Sequence, residues 1–361
     1  MSVPALQYAK TSDGVNIAFL TVGDGPPIVF ASNIFGDAHF YRQLAWQHVR
    51  GVTDGLSALG WRIVRYDVRG MGASDRIVPD LSLDARVNDL EAVVARAGIE
   101  RFALVGVDIG AATAVAYAAR HASRVTRLVL LSPWISGAEM FALPDLRVVT
   151  ATTALGDREW CVFTDVLGNV ASTFDDSQLG NELAEAMRQS TTPAGLAAYY
   201  EASARIDLTD LSPAVSVSTL VIHEPAFPFG SLELCQGVAK AIREAQFVVV
   251  RDKSIAGTVH SGNVSAIDRF VRTGSVMEGD VAVSPQHPPR NVTVSPLTAR
   301  EIQVLAHLAA GLTNKQIAAD LRIAVPTVER HVLNLYTKIG ARGRVDAAAY
   351  AIRHGLIKLR K

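Results

Sequence analysis

An aspartate stands at the centre of Gly106-Val107-Asp108-Ile109-Gly110, between an apolar run, FALVGV, and a run of small helix-forming residues, AATAVAYAA. A strand that ends in glycine-x-nucleophile-x-glycine and reopens as a helix puts its middle side chain at the tip of a strained turn. Glycines flank the tip because larger side chains would collide there. The helix that follows aims its N-terminal amides at the tip, which favours an anion. A carboxylate in that place can attack carbon and form an ester, which a base-activated water then hydrolyses.

The elements that must hold these groups are legible on either side of them. PPIVFAS, WRIVRYDV, FALVGVD and VTRLVLLS are short, β-branched and bounded by Gly, Pro or Asp. Between them LAWQHVRGVTDGLSALG and LDARVNDLEAVVARAG carry apolar residues at three-to-four spacing. Strands alternating with helices predict an α/β domain, a mostly parallel sheet with helices on both faces. The alternation stops over residues 135 to about 215, which read as helices, and resumes in TLVIHEP and QFVVVRD. The middle segment is therefore expected to be a helical cap inserted into a domain spanning 1–273. Residues 274–294, rich in Gly, Pro and Ser, read as a linker.

On these residues the stretch from roughly 5 to 273 resembles the α/β-hydrolase family. The resemblance rests on Tyr66-Asp67-Val68-Arg69-Gly70-Met71-Gly72-Ala73-Ser74-Asp75, on the turn at Asp108, and on His260 after the last apolar strand. An aspartate at the turn is similar to the epoxide-hydrolase and haloalkane-dehalogenase branch. The resemblance implies Asp108 as nucleophile, His260 as base, and the amides of Ile109 and Ile34 facing the oxyanion. The chain departs from the pattern in several places. Phe227 stands where the third triad member belongs, with Glu224 and Asp252 as the acids that remain to replace it. Loss of the group that orients the base lowers rate on the order of 10⁴-fold. The halide-holding Trp after the nucleophile is Ile109 here, and Ser32-Asn33 replaces the usual His-Gly. The two cap tyrosines, Tyr199 and Tyr200, are adjacent, and adjacent helical positions are not expected to face one site. Trp134, Trp160 and Tyr200 are the expected lining of a ligand pocket, with Ile34 and Ile109 at its floor. The favoured reading is a binding pocket. The alternative is an active hydrolase of epoxides or esters.

Composition separates the rest of the chain from this domain. Across 361 residues Lys+Arg and Asp+Glu balance at 35 each, yet residues 295–361 hold 11 basic side chains against 4 acidic ones, leaving 24 against 31 before them. A basic tail on an acidic body is the asymmetry of an attached nucleic-acid-binding module. The two cysteines, Cys161 and Cys235, lack metal-ligand spacing, so free thiols and no metal or cofactor are expected. No apolar run nears the ~18 residues of a membrane span, and MSVPALQYAKTSDG has no signal-peptide core; a cytoplasmic protein is expected.

In the tail, Thr298 with Glu301 and Thr313 with Gln316 are capping boxes. The first opens a helix with an Ile302, Leu305, Leu308 stripe, stopped at Gly311; the second opens a helix from Asn314 to Leu321. A third helix is expected from Pro326 to Ile339 and a fourth from Val345 to His354, each closed by glycine. Two short helices joined by a tight turn, the later one studded with basic and polar residues, form a helix-turn-helix. The segment 295–361 resembles the LuxR-type DNA-binding domain through Leu297-Thr298-x-Arg300-Glu301, Gly311-x-Thr313-Asn314-Lys315-x-Ile317-Ala318, Thr327-Val328-x-x-His331, Asn334 and Lys338-Ile339-Gly340. The resemblance implies a double-stranded DNA partner and a homodimer on a two-fold site. Arg330 is the candidate for guanine, and Thr327, His331, Asn334 and Lys338 for base or phosphate. Thr313, Asn314 and Lys315 are candidates for phosphate. Glu329 stands where the family often has Lys, and Glu301 reads as a cap. The whole is expected to be a DNA-binding regulator whose hydrolase-like domain senses a small, mostly apolar molecule.

Overall fold

Eight strands form the first unit's sheet in the order β1-β2-β4-β3-β5-β6-β7-β8. They are β1 (Gln7–Lys10), β2 (Asn16–Val22), β3 (Pro27–Ala31), β4 (Arg62–Tyr66), β5 (Phe102–Val107), β6 (Val125–Leu131), β7 (Thr219–His223) and β8 (Gln246–Val249). β2 pairs antiparallel with both β1 and β4 at one edge, and the remaining pairings are parallel. The computed structural model describes residues 4–31, 38, 47–143, 160, 161, 163–165, 167, 168, 177–225, 230–250, 261–276, 297–309, 312–339 and 347.

Strand periodicity divides the core between the two faces of the sheet. Ile28 and Phe30 of β3, with Val129 and Leu131 of β6, pack towards α1 (Gln47–Ala58) and α8 (Ser261–Thr273). Val29 and Ala31, with Leu128 and Leu130, join the other layer. That layer holds α2 (Leu83–Arg96), α3 (Ile109–Arg120) and α7 (Leu232–Ala241). α3 is built of small residues and buried nearly all round, as a helix apolar on every side must be. The insertion between β6 and β7 carries α4 (Gly137–Phe141), α5 (Ser177–Ser190) and α6 (Pro193–Ala204).

The chain order turns back between β4 and β5, which lie on opposite sides of β3. In open parallel sheets ligands bind beside such a reversal, at the carboxyl ends of the strands. Asp108 immediately follows β5 and stands there.

The turn after β4 is fixed by its own polar groups. Asp67 accepts from the Ala38 amide at 2.7 Å and the Ala73 amide at 2.8 Å. Arg69 is fully buried between Asp89 on α2 and Asp13 in the β1–β2 connection. The same turn holds the insertion: the Gly72 amide donates to the Ser190 carbonyl at 2.9 Å, and Arg76 donates to the Gln189 carbonyl.

Contacts divide the chain into residues 1–283 and 284–361. The second unit has its own core, from Val304, Leu305, Leu308, Ile317, Val328 and Leu335. Its helices are α9 (Ala299–Ala309), α10 (Asn314–Leu321) and α11 (Val325–Ile339). The buried stripe of α9 runs through Glu301, Val304, Leu305 and Leu308, so Val304 takes the place expected of Ile302, which is half-buried. Gly311, Gly340 and the expected fourth helix, apart from the buried helical residue Ala347, lie outside the described residues.

Candidate functional site

The turn at Asp108 takes the strained form its sequence implies. Asp108 has φ 50° and ψ −118°, a left-handed backbone that non-glycine residues adopt at a cost of order 1–3 kcal/mol. Its amide donates to the Leu131 carbonyl at 2.9 Å, continuing the β5–β6 ladder to the tip. A Cβ on Gly106 would lie 2.7 Å from both Ala111 Cα and Ala114 Cβ, so strand and helix meet too closely for any other residue. Gly106→Ala is therefore expected to cost about 1–3 kcal/mol, read as a lower urea midpoint; an unchanged midpoint would show that α3 can retreat.

The Asp108 side chain is not a helix cap, since it makes no capping hydrogen bond. It is 5 % exposed, and Oδ1 has no hydrogen-bond partner among the described residues. Burial pushes its carboxyl up to about 7, against a smaller opposing pull from the Ile109 amide. No cation among the described residues forms an ion pair with it. A nucleophilic carboxylate needs its negative form, and this environment favours the neutral one.

At the end of β6, Ser132 also has positive φ, 49°, and is tied to β7 by its amide on the Ile222 carbonyl at 2.9 Å. Two neighbouring strand ends thus hold strained non-glycine residues. Trp134 follows, 2 % exposed, with Nε1 lacking a partner. From the insertion, α6 buries Leu196, Tyr199, Tyr200 and Ser203. Such a face is a hundred degrees wide or more, enough for two adjacent residues. Tyr199 and Tyr200 are thus both buried on α6, and burial raises both phenols. Phe141 packs on Tyr200 at 5.3 Å between ring centroids, and Trp160 stacks on Phe163 at 5.2 Å. Trp134, Trp160, Tyr200 and Ile109 all belong to one apolar cluster.

His260, Ile34, Phe227 and Asp252 lie outside the described residues. Glu224, the other candidate acid, follows β7, is buried, and accepts from Asn263 Nδ2 at 3.3 Å. Asn263, wholly buried on α8, was missed in the sequence; its only signal is its place three residues after His260. His223 is half of a buried pair, with Nδ1 3.8 Å from Cys235 Sγ. Burial lowers the His223 imidazole and pushes the Cys235 thiol up to about 12, so His223 is neutral and the thiol inert. Both cysteines are free.

In the second unit Glu301 is the cap its spacing implies. It accepts from the Thr298 amide at 2.8 Å, and its own amide donates to Thr298 Oγ1 at 3.2 Å. The same carboxylate holds Lys338 Nζ at 2.8 Å. Although burial pushes Glu301 up, Lys338 and Thr298 hold it below its ordinary value. Lys338 is thereby tied into the domain. Thr313 and Gln316 form a full capping box, which occupies the Thr313 hydroxyl. Lys315 is exposed and Asn314 half-buried at the same helix start. On α11, Pro326, Glu329, Arg330, Leu333 and Asn334 are exposed, while Thr327 and His331 are half-buried. The exposed residues follow helical spacing and make one face. Arg330 and Asn334 lie on it, joined by Glu329 and by Leu333, 65 % exposed, which the sequence reading passed over.

Among the described residues no helix is long and apolar enough to cross a membrane. Residues 295–351 match the model of the bacterial regulatory proteins, luxR family, and residues 26–157 that of the alpha/beta hydrolase fold. The chain is 50 % identical over 60 residues to the transcriptional regulatory protein LnrK of Bacillus subtilis (strain 168), covering 17 % of this chain and 27 % of that protein. In structure it is similar to the esterase RhEst1 from Rhodococcus sp. ECU1013, with TM-score 0.62 and 22 % identity over 74 % of this chain and 98 % of that one. It is similar as well to the enol-lactonase from Burkholderia xenovorans LB400, with TM-score 0.56 and 21 % identity over 74 % of this chain and 98 % of that one. These likenesses carry the fold alone. The chain joins an N-terminal domain of the α/β-hydrolase fold to a C-terminal helix-turn-helix domain of the LuxR type.

Proposed function

We propose that this protein is a ligand-responsive transcription regulator. Its hydrolase-fold domain binds a small, mostly apolar molecule between the strand ends and the insertion, and its helical domain binds double-stranded DNA as a homodimer. The observation that carries the reading is Asp108: a strained, buried carboxyl, held neutral up to about pH 7 among aromatic side chains, in a chain that also carries a DNA-binding domain. Such a group suits recognition better than attack. A bound ligand acts on DNA affinity only through unequal affinity for two arrangements of the protein.

The test begins with operator sequences selected from random duplexes, followed by anisotropy titrations with and without a metabolite panel. The expected result is a several-fold change in affinity with at least one compound; an affinity indifferent to every compound overturns the sensor reading. On the same duplexes, Arg330→Ala is expected to lose ~1–3 kcal/mol and to relax preference at one base pair. An equal loss on all sequences makes Arg330 a phosphate contact instead.

The strained turn favours one second reading, an active Asp108 hydrolase of epoxides or esters. It predicts a covalent adduct on Asp108, a hydroxyalkyl ester from an epoxide or an acyl anhydride with loss of the alcohol from an ester, trapped in His260→Gln and seen by intact mass after incubation with such substrates. Absence of any adduct favours the sensor.

A further inference from the structure

We propose that Arg86 is the anion subsite of this same site, and that the ligand is a small apolar molecule bearing one carboxylate. The inference rests on the sensor reading above and narrows its ligand class.

Arg86 stands on α2 and is 1 % exposed. Its Nε donates to the Leu81 carbonyl at 3.0 Å, and its Nη2 reaches the Tyr199 carbonyl at 3.4 Å. The guanidinium lies 3.9 Å over the Tyr199 ring, at the insertion, while Nη1 has no partner. No carboxylate among the described residues pairs with it. The nearest acid on its own helix, Asp89, has both oxygens engaged by Arg69. Two carbonyls and a ring soften the desolvation of a cation but do not neutralise it. A buried charge without a counter-charge costs several kcal/mol, which is why such groups are found paired. Arg69, equally buried, has two carboxylates.

Other orphaned atoms point the same way. Trp134 Nε1 is a buried donor without an acceptor, and Asp108 Oδ1 is buried without a partner. Raised by burial to about 7, the Asp108 carboxyl is partly protonated near neutral pH and in that form can donate as well. The Arg86 guanidinium over the Tyr199 ring places the cation against the buried face of α6 that also carries Tyr200. The surroundings therefore lack acceptors and a single negative charge. A carboxylate supplies both, with geometry that suits a guanidinium fork. One uncompensated arginine matches a monoanion, and the aromatic side chains of Phe141 and Tyr200 suit an apolar remainder.

The test is calorimetric titration of the full chain with octanoate, phenylacetate and benzoate, each beside its methyl ester. At least one acid is expected to bind about tenfold or more tightly than its ester, the factor of one charge-assisted pair. Arg86→Met is expected to erase that preference while ester binding survives, and Arg86→Lys to retain part of it. Because Arg86→Met also removes the contact with Tyr199, its urea midpoint is measured alongside; if it does not fold, the acid-to-ester ratio of the native chain decides. Esters that bind as well as acids overturn the anion subsite and leave the sensor reading standing. A preference that survives in Arg86→Met overturns the assignment to Arg86. No binding by acid or ester overturns the proposal, while the operator screen with the broad metabolite panel judges the sensor reading separately.

Discussion

Asp108→Asn raises the melting temperature of the hydrolase-fold domain at pH 8 and leaves it nearly unchanged at pH 4. The reason is proton linkage. Burial moves the Asp108 carboxyl from its ordinary 3.8 to about 7. Between those values the folded chain keeps a proton that the unfolded chain has released. Stability contributed by that group is thus whole below pH 4, falls as pH rises through the window, and is level above 7. A shift of this size corresponds to on the order of 4 kcal/mol, or roughly 10 °C in a domain of this length. Asn keeps the shape of Asp, tolerates a left-handed backbone comparatively well, and cannot ionise. Melting curves of both proteins from pH 4 to pH 8 measure the effect. A difference that is the same at every pH would mean that Asp108 is ionised in the fold, which would return it to candidacy as a nucleophile.

The second large effect is expected at the buried ion pair. Asp89→Ala removes the acceptor of Arg69 Nε at 3.0 Å and the shorter of the two acceptors of Nη2, at 2.7 Å against 3.2 Å to Asp13, from a place where the Arg69 and Asp89 side chains have no exposure. Asp13 still holds Nη1 at 2.8 Å but sits at the surface, and the Asp80 carbonyl adds a neutral bond at 3.1 Å. Breaking one side of a buried pair typically costs 3–5 kcal/mol, about ten times an exposed one. Asp13→Ala, whose oxygens water can replace, is expected to lose about 1 kcal/mol or less. Replacing both Arg69 and Asp89 with apolar residues of similar volume should recover most of the loss, since no charge is then stranded. Urea unfolding of the four proteins separates these cases. Equal losses for Asp13→Ala and Asp89→Ala would show that the pair is open to water.

Those two residues also mark where the sequence stops being readable. FALVGV, VTRLVLL and TLVIH declared themselves as buried strands because both their faces are covered. The capping boxes at Thr298 and Thr313 declared helix starts because the groups that satisfy each other are three residues apart. Arg86 and Asp89 declared nothing. They lie on the buried side of a helix whose apolar spacing they interrupt, and what they touch comes from distant segments. The same holds for Asp108: its spacing from two glycines announced the turn, but only three-dimensional burial makes its carboxyl neutral.

The bond between Lys338 and Glu301 has a consequence for how the basic tail meets DNA. A surface lysine that moves onto a phosphate releases a condensed counterion, and affinity then falls with salt at about 0.9 logarithmic units per phosphate neutralised. A lysine already neutralised by a buried carboxylate carries no counterion to release. The eleven basic side chains counted in residues 295–361 therefore overstate the ions set free on binding, and the salt dependence of this domain is shallower than that count implies.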